Sequence, residues 1–333
     1  MNKVFDSLLL LALPASGKSE IRKYLAQVDH QKSIEDFHIG KTVQLDDFPY
    51  VHLMRRIDEE LKKTGEKSVF FHSPDKPFMD PVTWGVLIHL LNEDYDDLLV
   101  KKQIPLDNCS VYLLKRIDNA RRLLGVKPLF FEGDKPFLDG VKWKAFTSAL
   151  EEDARDIVVK KMKEYPDTLD GKTVVIEFAR GGPDKAEMPL LPPLGYEYSL
   201  GLLKPEILEK SALLYVWVTP EESRRKNFER TDPNDPGSIL AHGVPIDVMM
   251  NDYGCDDINY LLSVSDKSGF VKVDSNRGPI YLPTQKFDNR DDKTTFVRGK
   301  NWKEGDVERL HKGLKESLTA LYERYSTLHQ YSR

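Results

Sequence analysis

The chain has 333 residues, of which 40% are hydrophobic and 31% charged, and its formal net charge is −5. That length suits one large or two ordinary domains with buried cores, and the composition excludes a disordered chain. The slightly acidic, mixed charge supplies no basic excess for nonspecific nucleic-acid binding, and no apolar run reaches the roughly 20 residues of a membrane helix.

The first element is VFDSLLLLAL, a short apolar run bounded by turn residues, which predicts a fully buried strand. Lys3 and residues 8–13 also sketch a leader peptide, but Asp6 interrupts it and its apolar core is short. In KSEIRKYLAQV, Ile21, Leu25 and Val28 recur at helical spacing. Between strand and helix, the pattern G-x-x-x-x-G-K-[ST] maps onto residues 12–19, with Ala12 where the first glycine would stand. The chemistry calls for these residue types. Backbone amides of Ala15, Ser16, Gly17, Lys18 and Ser19 would face a phosphate at the positive end of the helix, and Gly17 lets the backbone approach. Lys18 would reach the β- and γ-phosphates, and the Ser19 hydroxyl would ligate Mg²⁺. The plain alternative is a chance G-K-S in which Ser16 or Ser19 caps a helix.

On these residues the chain resembles the P-loop kinases, the nucleoside- and nucleotide-kinase-like branch of the P-loop NTPases. The resemblance covers residues 4–30 and extends to the later strands by pattern alone. It implies an α/β fold with a three-layer core and a mostly parallel sheet, ATP and Mg²⁺ as cofactors, and a small-molecule acceptor.

KTVQLDDFPY reads as a second strand ending at Asp46 and Asp47. In the resembling kinases a carboxylate here contacts the acceptor hydroxyl or the Mg²⁺ shell, so both are catalytic candidates. Next comes an internal repeat. Residues 51–102 and 111–161 align after a one-residue gap near Pro74, sharing RID, FF, DKPF, a Trp at 84 and 143, and VKK. Nearly half of the aligned positions are identical, which reads as a tandem duplication, mostly helical, with a turn at DKPF. Asp46 and Asp47 match Asp107 and Asn108 before the second copy, so a helix-capping role competes with catalysis. The expected domains are a core of residues 1–50 and 166–333 and an insertion of residues 51–165. The resemblance implies that the insertion shapes an acceptor pocket, with Arg56, Arg116, Lys76 or Lys135 meeting an anionic substrate; the alternative is a homodimer or partner module.

DGKTVVIEFARGG and SALLYVWVTPEE are two further buried strands. Glu177 stands where many P-loop proteins hold a Mg²⁺-bound water, and Arg180 is a substrate-binding candidate or the partner of Glu177. PEESRRKNFERTDPNDPG falls where the resembling kinases carry a lid, which here, near residues 220–258, would bring Arg224, Arg225 or Arg230, with Lys226, over the transferring group. The alternative is a solvated helix laced with Glu–Arg pairs. Residues 269–292 suggest a hairpin or two short strands, and the resemblance implies that Asn289 and Arg290, at the end of the last strand, would contact the nucleotide base, Arg290 by stacking. His242, Asp252 and Asp256 lack metal-ligand spacing. From residue 306 to about 325, Val307, Leu310, Leu314, Leu318, Leu321 and Tyr325 mark an amphipathic helix. Buried strands alternating with helices imply a parallel sheet covered on both faces. Two distant cysteines, Cys109 and Cys255, fit a reducing cytoplasm.

The sequence therefore favours a Mg·ATP-dependent phosphotransferase acting on a small metabolite. A nucleotide-dependent switch or scaffold and a nucleic-acid end kinase are the alternatives, with the acidic balance weighing against nucleic acid.

Overall fold

A computed structural model describes residues 4–230, 243–275 and 277–330. The fold is α/β. In chain order its elements are β1 (Ser7–Leu11), α1 (Lys18–Leu25), α2 (His30–Phe37), β2 (Lys41–Asp46), α3 (Phe48–Lys63), α4 (Thr83–Val100), α5 (Cys109–Leu123), β3 (Phe131–Glu132), β4 (Lys135–Pro136) and α6 (Gly140–Lys163). There follow β5 (Lys172–Phe178), α7 (Gly195–Leu202), α8 (Pro205–Leu208), β6 (Ser211–Trp217), α9 (Pro220–Arg230), α10 (Ile246–Asn251), α11 (Ile258–Val264), β7 (Phe270–Ser275), β8 (Gly278–Asp288) and α12 (Glu304–Gln330). None of the helices among the described residues is long and apolar enough to cross a membrane.

The chain divides into two compact units, one of Met1–Gln44 with Thr168–Arg333 and the other of Leu45–Asp167. The first unit is built on a six-stranded sheet of order β2-β5-β1-β6-β8-β7. β1 pairs in parallel with β5 and β6, β6 pairs in parallel with β8, and β7 closes the edge antiparallel to β8. Successive side chains of a strand face opposite ways. Leu8, Leu10 and Ala12 join Ala212, Leu214 and Val216 in a core with Leu310, Leu314, Leu318 and Leu321 of α12, which packs on β6 and β8. The intervening Leu9 and Leu11 are also fully buried, so the central strand is covered on both faces.

The second unit is mainly helical, and its two similar segments carry matching details. Both α3 and α5 end at a glycine, Gly65 (φ 81°) and Gly125 (φ 71°), whose left-handed backbone stops the helix. The buried carboxylate of Asp58 accepts hydrogen bonds from the amides of Val69, Phe70 and Phe71. Asp118 does the same for Leu129, Phe130 and Phe131. Contacts between the segments are reciprocal. Arg56 pairs with Asp153 at 3.0 Å, and the corresponding Arg116 pairs with Asp94, the counterpart of Asp153, at 2.8 Å. The matched Phe70 and Phe130 meet each other, with ring centroids 6.2 Å apart. Reciprocity of this kind is the signature of a twofold relation between like surfaces.

Candidate functional site

β1 delivers the chain, fully buried, to the loop 12–17, and α1 starts at Lys18. Two loop residues are left-handed: Ala15 with φ 58° and Gly17 with φ 111°. For an alanine this conformation costs about 1 kcal/mol. At Gly17 the space is closed as well, because a Cβ would lie 2.5 Å from Thr294 Oγ1 and 2.8 Å from Asn289 Nδ2. Gly17 is the N-cap of α1 and offers no side-chain cap, so the first-turn amides of the helix keep their donors. Lys18 Nζ donates to the carbonyls of Ala12 and Phe178, each at 3.2 Å. The Ser16 hydroxyl is buried with no hydrogen-bond partner among the described residues, and Ser19 is half-buried.

Distant side chains hold this loop. Ser223 Oγ, on α9, donates to the Pro14 carbonyl at 2.7 Å. Asn289 Nδ2, just past β8, donates to the Ser16 carbonyl and to Thr294 Oγ1, each at 2.8 Å. Asn289 Oδ1 accepts from the Lys293 amide at 2.7 Å, and the residue is fully buried. Its side-chain amide is thus engaged with the loop, where a nucleotide-base contact was expected. Lys226 is fully buried too; it pairs with Asp292 at 2.9 Å and donates to the Asn289 carbonyl at 3.4 Å. Burial alone would raise Asp292, yet Lys226 holds that carboxylate below its usual range.

The other expected residues divide into engaged and open groups. Arg180 is interior, with Nε on Ser199 Oγ at 3.1 Å and its guanidinium over the Phe178 ring, which argues against a role on an exposed substrate. Glu177 faces Arg22 of α1 at 3.0 Å, so an arginine stands where a Mg²⁺-bound water was expected. Arg224 pairs with Asp184 and Glu221, and Arg225 with Glu222 and Glu229. Arg230 is different. It is half-buried, its Nε has no partner among the described residues, and it lies near Glu20, which already holds Arg298 at 2.6 Å. Burial draws its guanidinium down to about 10, against Glu20 and with the help of Arg298. Arg290 is bound to Asp288 and lies over the Trp217 ring at 4.0 Å, so it stacks, but on the protein itself.

In the second unit, Asp46 Oδ1 accepts from the Phe48 amide at 2.9 Å at the start of α3. Asp47 occupies the N-cap position, buried, without a side-chain cap bond. Arg56 is surrounded by Glu59, Glu60 and Asp153, and Arg116 by Glu93 and Asp94, so the arginines expected to meet an anionic substrate are neutralised by carboxylates. The lid expected near residues 220–258 is described only as α9 and from residue 243 onward; His242 and residues 231–241 lie outside the described residues. Among the described residues no group of three or more His, Cys, Asp or Glu side chains is arranged to hold a metal ion.

Sequence reasoning missed Ser223, Thr294 and Arg22. It also missed the role of Asp257, which is fully buried and accepts from the amides of Tyr196 and Glu197 at the start of α7. Ser223, Arg22 and Asp257 act over long chain separations that no local pattern signals. No protein-family model matches the chain, and no curated protein or solved structure matches it either.

Proposed function

We propose that the chain is a Mg·ATP-dependent phosphotransferase of the P-loop kinase type, acting on a small hydroxyl- or phosphate-bearing metabolite. The observation that carries this is the loop between β1 and α1. Left-handed residues at 15 and 17 lead directly into an uncapped helix start, a backbone form that turns successive amides toward one anion. Lys18 adds a cation at the same place, and the unpartnered Ser16 hydroxyl adds a donor that a phosphate oxygen would satisfy. The sheet order supports the placement: β2 and β5 lie on one side of β1 and β6 and β8 on the other, so the loop stands where strand order reverses.

In this reading the loop amides and Lys18 hold the donor phosphates, and Ser19 is the protein ligand of Mg²⁺. Glu177 is committed to Arg22 and drops to a supporting role. Of the three lid arginines, Arg224 and Arg225 are paired with carboxylates, which leaves Arg230 to meet charge on the transferring group. Asp47 is assigned to the acceptor hydroxyl by the sequence argument alone, since its counterpart in the second copy, Asn108, has lost the charge. The reciprocal contacts of the second unit favour its origin as a tandem duplication.

The test is a phosphoryl-transfer and thermal-shift screen of metabolites with Mg·ATP, run on wild type and Lys18→Ala. Lys18→Ala is expected to lower turnover by at least about a hundredfold, on the scale of losing one fixed charge-stabilising group. Unchanged binding and turnover in Lys18→Ala would end this assignment.

A further inference from the structure

Ala15 is the strained residue of the loop, and nothing in residues 12–19 explains its left-handed backbone. The carbonyls of its two neighbours, Pro14 and Ser16, are both held by side chains more than two hundred residues away in sequence, Ser223 and Asn289. A strained backbone persists where its surroundings over-determine it. In a planar trans peptide the N–H points opposite to the C=O. The amides of Ala15 and Gly17 therefore point away from Ser223 and Asn289 respectively.

We propose that Ser223 and Asn289 are positioning residues for anion binding. By gripping the carbonyls on either side of Ala15, they keep it left-handed and aim the Ala15 and Gly17 amides at the bound phosphate. Both residues are themselves fixed. Asn289 is braced by Thr294, the Lys293 amide and the buried Lys226, and Ser223 lies on the same helix as Lys226. The grip links the shape of the loop to the placement of α9. This inference rests on the phosphate-loop reading above.

The experiment is calorimetric titration of the full chain with Mg·ADP and with pyrophosphate. Wild type, Lys18→Ala, Ser223→Ala and Asn289→Ala are compared, and the last two are repeated with Ala15→Gly added. Thermal unfolding is recorded in parallel. Ser223→Ala and Asn289→Ala are each expected to weaken binding about tenfold, the scale of one lost hydrogen bond to a buried partner. Ala15→Gly is expected to restore most of that loss, because glycine takes the left-handed form freely. If Asn289→Ala does not fold, Ser223→Ala, which removes a single oxygen, carries the test. Weaker binding without rescue by Ala15→Gly overturns the proposed route through Ala15. A lower melting temperature with unchanged affinity reduces both residues to structural supports. If Lys18→Ala alone abolishes binding, the positioning claim fails and the phosphate loop stands. If wild type binds neither probe, the phosphate loop falls and the positioning claim with it.

Discussion

The two similar segments of residues 45–167 share a plan and differ in surroundings. Each closes its first helix on a left-handed glycine, and each grips three amides with one buried aspartate. Each also sends an arginine to the aspartate of the other segment. Yet α4 is buried almost all round, whereas α6 buries only Phe146, Leu150, Ala154 and Val158. Where α4 has Gly85, Val86 and His89, α6 has Lys144, Ala145 and Ser148. The Arg116–Asp94 pair is 6% and 7% exposed, while Arg56–Asp153 is 24% and 32% exposed. Like sequence thus fixes the same hydrogen bonds in both segments, and burial sets what each bond is worth.

The largest expected effect tests what the segments share. Asp58→Ala leaves the buried amides of Phe70 and Phe71 without their acceptor, and Asp118→Ala does so for Phe130 and Phe131. At roughly 1–3 kcal/mol per stranded buried donor, each change should cost about 4 kcal/mol in urea unfolding. The two costs should agree within about 1 kcal/mol, since both carboxylates are buried. A large cost in one segment and none in the other would break the shared plan.

The next effect tests what separates them. Arg116→Met strips a buried pair, but Lys161 still meets Asp94 at 2.6 Å, so the cost should fall at the low end for buried pairs, about 3 kcal/mol. Arg56→Met removes a pair open to water and should cost no more than about 1 kcal/mol. Equal losses, read from unfolding midpoints at constant slope, would show that the difference in burial has no energetic weight.

Much of this was legible in the sequence, and the limit was physical. Apolar runs marked β1, β5 and β6, because a strand buried on both faces has no polar alternation. The three- and four-residue spacing of Leu310, Leu314, Leu318 and Leu321 marked α12. The second strand was expected to reach Asp47, but it ends at Asp46 because Asp47 already serves as the N-cap of α3. At the candidate site, the G-K-S run located the loop. The bonds that shape it were invisible, since Ser223 and Asn289 follow it by more than two hundred positions. Nor could spacing say which arginines are neutralised. Arg180, Arg224 and Arg230 look alike in sequence, and they separate only when the partners Ser199 and Asp184 are placed in space. The short α2, α7 and α8 have too few turns to show a periodic face.

The smallest effect lies in the acid limb, where two carboxylates, one from each segment, should respond with opposite sign. Burial raises both Asp97 and Asp118, but what faces each carboxylate differs. Asp97 meets the ammonium groups of Lys161 and Lys102, which outweigh burial and hold it below its ordinary 3.8. Asp118 meets chiefly backbone amides, with Arg122 as a weaker charge, and these do not cancel burial, so it stays above 3.8. A depressed carboxylate contributes stability that is present above pH 3.8 and lost as pH falls through its folded value. A raised carboxylate does the reverse. The folded state binds the extra proton, so its contribution is lost as pH rises from 3.8 through the folded value. Urea unfolding of Asp97→Asn and Asp118→Asn across this range isolates the two contributions. Relative to Asp97→Asn, wild type should gain stability as pH rises, and relative to Asp118→Asn it should lose stability. Slopes of one sign in both comparisons would mean that the paired ammonium groups do not outweigh burial at Asp97, and the contrast drawn between these two acids would not hold.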